Sequence, residues 1–177
     1  MIKIIVVAVI VVIAAILVLA ATRPDTIRVE RSAQISAPPD KILLLVNDFH
    51  QWGAWSPYEK LDPTMKRTYA GAGAGKGAVY EWEGNAKAGQ GRMEIIDAAP
   101  TKTAIQLDFI KPFRAHNIAA FTARQQGDAT RVTWSMEGPA PFMHKLVGLF
   151  LNMDKMIGAD FETGLGNLKA LAEKASP

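Results

Sequence analysis

Residues 4–21 are eighteen consecutive Ala, Val, Ile and Leu positions, bracketed by Lys3 and by Thr22-Arg23-Pro24. At about 1.5 Å rise per residue a helix over this stretch is roughly 27 Å long, close to the hydrocarbon thickness of a bilayer. A cleavable leader usually has a shorter apolar run and an A-x-A-like site, which Leu19-Ala20-Ala21-Thr22 matches poorly. A core helix apolar on every side would need a larger protein around it. The pattern therefore predicts a single-pass membrane anchor over residues 1–22 and a separate domain over residues 23–177. Lys3 and the terminal amine lie on one side of the apolar run and Arg23, Arg28 and Arg31 on the other, so basic residues do not decide which membrane face carries the domain.

Beyond the anchor the period becomes two. Residues 26–35 alternate, with Ile27, Val29, Ala33 and Ile35 on one face, as in a half-buried strand. Pro38 and Pro39 then open a short helix over about 40–47, since their missing N–H groups fall among donors that a first turn leaves unpaired. Trp52 and Trp55 stand three apart on a second short helix that Pro57 ends. Further strands are predicted over 65–69, 78–83, 91–97, 103–110, 115–124 and 130–137, joined by hairpin-length turns.

After Pro139 and Pro141 the period becomes 3.6. At 100° per residue, ten apolar positions from Phe142 to Ala172 fall within about 80° of Ile157, which predicts one long amphipathic helix over 142–174. Seven antiparallel strands and one long helix close a core most simply as an α+β fold in which a curved sheet wraps the helix. A gap between the two would be a pocket. Gly148, Gly158, Gly164 and Gly166 each cost a helix about 1 kcal/mol relative to Ala. Close approach of the sheet, or a bend around a cavity, is the expected compensation.

Composition narrows the chemistry. No Cys occurs in 177 residues, which excludes disulfide scaffolds, thiolate metal sites and cysteine nucleophiles. Without Lys3 the chain keeps 19 basic against 17 acidic residues, a net of +2 with no concentrated basic face, so no nucleic-acid partner is expected. The glycine-rich stretch 70–77 lacks the first Gly and the final Ser or Thr of a phosphate loop, and its glycines recur at every second position rather than as GxGxxG. It reads as a flexible strand-to-strand loop. His50, His116 and His144 fall on different predicted elements with no ligand spacing, so neither a metal nor another cofactor is expected. His116 lies on a strand whose alternate residues face inward. Asp154 and Asp160 border the apolar stripe of the last helix, either paired with sheet Arg or Lys or serving as polar groups inside a greasy pocket.

The domain also resembles the START-like, helix-grip superfamily, which includes lipid-transfer domains, pollen-allergen-type proteins and the polyketide cyclase/dehydrase group often labelled SRPBCC. The resemblance runs through Trp52-Gly-Ala-Trp55-Ser-Pro57, Asp62-Pro63, Gly75-Lys-Gly77-Ala-Val-Tyr-Glu-Trp82-Glu-Gly-Asn85, Gly89-Gln-Gly91-Arg-Met93, Thr130-Arg-Val-Thr-Trp134 and Met156-Ile-Gly-Ala-Asp-Phe-Glu-Thr-Gly-Leu165. It implies a hydrophobic small-molecule ligand, a lipid or polyketide-like compound, held between sheet and helix. Trp52, Trp55, Tyr80, Trp82, Phe109, Trp134, Met153, Ile157 and Phe161 are the expected lining residues. If the pocket is catalytic, the resemblance implies cyclisation or dehydration of a ketone chain, for which Asp160, Asp154, Tyr80 and His116 are the candidate acid–base groups. No residue pattern forces that chemistry. A non-catalytic accessory protein packed against another membrane protein is the third reading.

Overall fold

The computed structural model describes residues 2–174. Met1 and residues 175–177, which belong to the expected anchor and domain bounds, lie outside the described residues. The apolar run forms α1 (Ile2–Ala21), a helix long and apolar enough to cross a membrane, with almost every side chain exposed. After a four-residue connection β1 (Thr26–Ile35) begins.

Seven strands form one antiparallel sheet. They are β1, β2 (Lys66–Gly71), β3 (Ala78–Glu83), β4 (Gln90–Ala99), β5 (Lys102–Lys111), β6 (Ala115–Gln126) and β7 (Ala129–Pro139), in the spatial order β1-β7-β6-β5-β4-β3-β2. Every predicted strand is present, and those that differ do so by one or two residues at an end. The first and second strands occupy opposite edges, so the chain between them must cross the sheet. It does so through α2 (Pro39–Asn47), a 3-10 turn, α3 (Trp52–Trp55) and a second 3-10 turn, Pro57–Lys60. Pro57 ends α3 as expected, and it also sits in the first turn of the next helical segment, where its fixed φ and absent N–H suit a helix start.

Indole groups terminate α2. Its last carbonyls have no intrahelical partner. Trp55 Nε1 donates to Leu45 O at 3.2 Å and Trp52 Nε1 to Val46 O at 2.9 Å. The same two rings are buried against Phe121 and Trp134, so one pair of residues caps a helix and fills the centre of the domain.

The single long C-terminal helix divides into α4 (Phe142–Val147) and α5 (Met153–Lys174). Gly148 closes α4 by donating its N–H to His144 O, and Asn152 opens α5 by accepting the Lys155 N–H on its side-chain oxygen at 2.9 Å. α5 runs along β1. Lys169 Nζ donates to Gln34 O, the Ser36 N–H to a Glu173 carboxylate oxygen, and Arg31 reaches both Asp154 and Glu162. The close approach expected of the helix glycines occurs at two of them. A Cβ at Gly158 would lie 2.0 Å from the Arg31 guanidinium, and one at Gly164 would lie 2.7 Å from the Trp134 ring.

Candidate functional site

The register sorts the inner face of the sheet into rows. One row is Trp82, Gly91, Phe109 and Ala115, and the next is Tyr80, Met93, Leu107 and Asn117. Further along come Ile95, Ile105, Ala119, Met136 and Val29, then Thr103, Phe121, Trp134 and Arg31. The rows differ in solvent exposure. Toward the end of the sheet carrying the β6–β7 hairpin, aromatic packing fills the space under α5. The rings of Trp134 and Phe161 stack at 4.1 Å, and those of Phe121 and Trp134 at 4.8 Å. Toward the end where β1 starts, the inward-facing Trp82, Leu107, Phe109, Asn117, Met136 and Ile27 all remain partly exposed, as do Tyr58 on the second 3-10 turn and Ile157 on α5.

The nine expected lining residues therefore separate. Trp52, Trp55, Tyr80, Trp134 and Phe161 lie in the buried cluster, each with at most 4% of its surface exposed. Trp82 and Phe109 meet edge to face at 5.9 Å in the partly open rows, where Gly91 leaves room for the Trp82 indole to lie across β4. Ile157 is partly buried against the core cluster, and Met153 lines a cleft of about 470 Å³ where the α1–β1 connection, Ile27 and the α4–α5 joint meet. The glycine-rich loop, held by the Gly75 N–H donating to Asn47 O, borders a second and smaller cleft of about 230 Å³ beside His50 and Tyr69.

The four acid–base candidates also stand in different surroundings. His116 projects from the outer face of the sheet, opposite the helix, because Ala115, Asn117 and Ala119 take the inward positions; its Nδ1 lies 2.5 Å from Asp108 Oδ1. Asp154 is fixed by the Arg31 guanidinium at 2.9 and 3.0 Å, and those hydrogen bonds hold its carboxyl below the usual range. The Tyr80 hydroxyl donates to Glu59 Oε1 at 2.5 Å, and burial followed by this hydrogen bond pushes its ionisation upward. Asp160 alone has no hydrogen-bond or ion-pair partner among the described residues, and partial burial raises its carboxyl above the ordinary value. The Tyr58 phenol is close enough to feel the Asp160 charge, and burial together with that charge raises its ionisation too.

Tyr58, Glu59, Arg67, Leu107, Asn117 and Met136 were not among the expected site residues. Glu59 is nearly enclosed and takes Arg67 Nε at 2.7 Å as well as the Tyr80 hydroxyl, fixing the second 3-10 turn against β2 and β3. Strand alternation does carry a signal for Leu107, which shares a face with Phe109. Tyr58 and Glu59 carried none, since Pro57 reads equally as a stop. Among the described residues no group of three or more His, Asp or Glu could hold a metal ion.

A seven-stranded antiparallel sheet holding one long C-terminal helix defines a helix-grip, START-like domain. The chain belongs to the polyketide cyclase / dehydrase and lipid transport family, whose profile matches residues 26–173. No functionally curated protein matches the sequence. Protein CV1439 from Chromobacterium violaceum is 18% identical, with a TM-score of 0.57 over 85% of this chain and 99% of that one. Protein Ms6760 from Mycobacterium smegmatis is 19% identical, with a TM-score of 0.56 over 81% and 89%. DynU16, from the dynemicin biosynthetic locus, is 16% identical, with a TM-score of 0.58 over 88% of this chain and 49% of that one. At such identities these likenesses speak for the fold. The family and its fold support a hydrophobic ligand-binding domain.

Proposed function

We propose that residues 23–177 bind one hydrophobic small molecule, a lipid or polyketide-like compound, at the open end of the grip, and that residues 1–22 anchor the domain in a membrane. The observation that carries this reading is the set of inward-facing apolar side chains left partly exposed in an otherwise filled interior: Trp82, Leu107, Phe109, Met136 and Ile157. Apolar contact there would supply affinity at roughly 25 cal/mol per Å² buried. Tyr58, Asn117 and Asp160 are the polar points that would orient a hydroxyl or carbonyl.

The test uses the full chain in detergent micelles with cis-parinaric acid as the probe, read by energy transfer from tryptophan. Saturable one-to-one binding is expected. Ile157→Lys should weaken it by at least about tenfold, a loss of ~1.4 kcal/mol, while urea unfolding shows the variant folded. Non-saturable uptake, or an unchanged affinity in a folded Ile157→Lys protein, counts against the site.

A catalytic reading has one favourable observation, the unpartnered Asp160 carboxyl beside Tyr58 with its protonation favoured by burial. Such an acid can donate a proton to a ketone oxygen, and its conjugate base can accept one from the adjacent carbon, as cyclisation and dehydration require.

A further inference from the structure

The helix α4 is built inside out. Its basic residues turn inward, with the Lys145 side chain only 10% exposed and paired to Asp25, and His144 lining the 470 Å³ cleft. Three of its four apolar residues turn outward: Met143 is 64% exposed, and Phe142 and Val147 are also exposed, while Leu146 is partly covered. The turn after it continues the pattern, with Phe150 70% exposed and Leu151 beside it. A helix facing water presents the opposite arrangement, and contiguous apolar surface on a folded domain marks a partner.

Two observations say what that partner is. First, α4 packs on α1, and the α1 positions withdrawn from solvent are Ile16 and Ala20. Ile16 precedes Thr22 by six residues, a depth of about 9 Å along a helix, which matches the roughly 5–10 Å reached by amphipathic helices lying in a bilayer interface. Second, the antiparallel topology places the start of β1, the end of β7 and the β5–β6 turn at one end of the sheet. That turn presents Phe113, 74% exposed, between Lys111 and Arg114. An apolar tip flanked by cations suits the boundary between acyl chains and headgroups.

We infer that α4, the turn to α5 and Phe113 form a lipid-docking surface that seats this end of the sheet in the same bilayer α1 crosses. This rests on the anchor reading of α1. The cleft lined by Ile27 and Met153 then opens at headgroup depth, and a ligand passing between membrane and domain need not cross water.

The chain has no cysteine, so each introduced one takes a single nitroxide label. The full-length Val11→Cys, Phe113→Cys, Met143→Cys, Phe150→Cys and Asp128→Cys variants are reconstituted in phosphatidylcholine–phosphatidylglycerol vesicles. Spin relaxation by oxygen, which concentrates in lipid, is compared with relaxation by a water-soluble nickel chelate. Oxygen should dominate at 11, 113, 143 and 150, and the nickel chelate at 128, on the opposite hairpin tip. Nickel access at 113, 143 and 150 with an embedded label at 11 overturns the docking surface and leaves the anchor standing. Shielding of 113, 143 and 150 from both reagents overturns it in favour of a protein contact. A label at 11 open to nickel removes the anchor and this inference with it.

Discussion

Asp154 and Asp160 lie six residues apart on α5, and their neighbours give them opposite titration. Hydrogen bonds from Arg31 keep Asp154 ionised to lower pH than an ordinary carboxyl, whereas partial burial with no partner makes ionisation of Asp160 unfavourable. For Asp154, the stability gained is present above the ordinary value of 3.8 and is lost as pH falls through the lowered one. For Asp160 the folded value is raised, so folding bears a penalty in full above it, and the penalty disappears below 3.8, where both states are protonated. Asp160→Asn should therefore raise Tm at pH 7, and Asp154→Asn should lower it, each on the order of 2 °C for groups this exposed. Both differences should fade as the pH approaches 3. Equal and same-sign shifts at pH 7 in differential scanning calorimetry would contradict the assignment. The pairing of Asp154 with a sheet Arg was legible from its place at the edge of the apolar stripe. The lack of a partner for Asp160 was not, because partners across a sheet depend on register.

At the scale of elements, α5 tolerates its glycines for different reasons. Gly164 faces Trp134 and Pro57, where an added Cβ would lie 2.7 Å from one and 3.1 Å from the other; Gly166 has nothing within 4 Å. Gly166→Ala should stabilise by about 0.5–1 kcal/mol through helix propensity alone. Gly164→Ala should destabilise by about 1–2 kcal/mol, since two rigid rings must move. Urea midpoints that rank the variants the other way would show that α5 does not lie this close to Trp134. The strands were legible because alternation follows directly from a one-sided core. The break between α4 and α5 was hidden because Leu149, Phe150 and Met153 keep the helical phase of the apolar stripe across it. Phase records which residues are apolar, whereas Gly148 and the Asn152 side chain decide where hydrogen bonding stops and restarts. Lining residues were obscured in a similar way: Trp134 on β7 and Trp82 on β3 are the same residue type on the inner face of one sheet, and only packing against Phe161 or its lack separates the core from the open end.

Across the whole molecule, order is graded along α5. Phe161, Gly164, Leu165, Leu168 and Ala172 are buried, and the far end is tied to β1 through Gln34 and Ser36. Over residues 153–159 only Gly158 is buried, and the polar restraint is the Arg31 pair, itself partly exposed. Local opening costs least where few apolar contacts are lost. The first two turns of α5 should thus move away from the start of β1 without unfolding the Trp134 cluster, widening the open end enough to admit a ligand. Hydrogen exchange followed by mass spectrometry on the full chain should show amides of 153–159 exchanging well before those of 165–172. Saturating cis-parinaric acid should slow the first group and leave the second unchanged. Uniform protection along α5 would mean the helix moves as one body. Protection by the probe confined to 165–172 would place the ligand among the buried aromatic rings instead of beside Ile157.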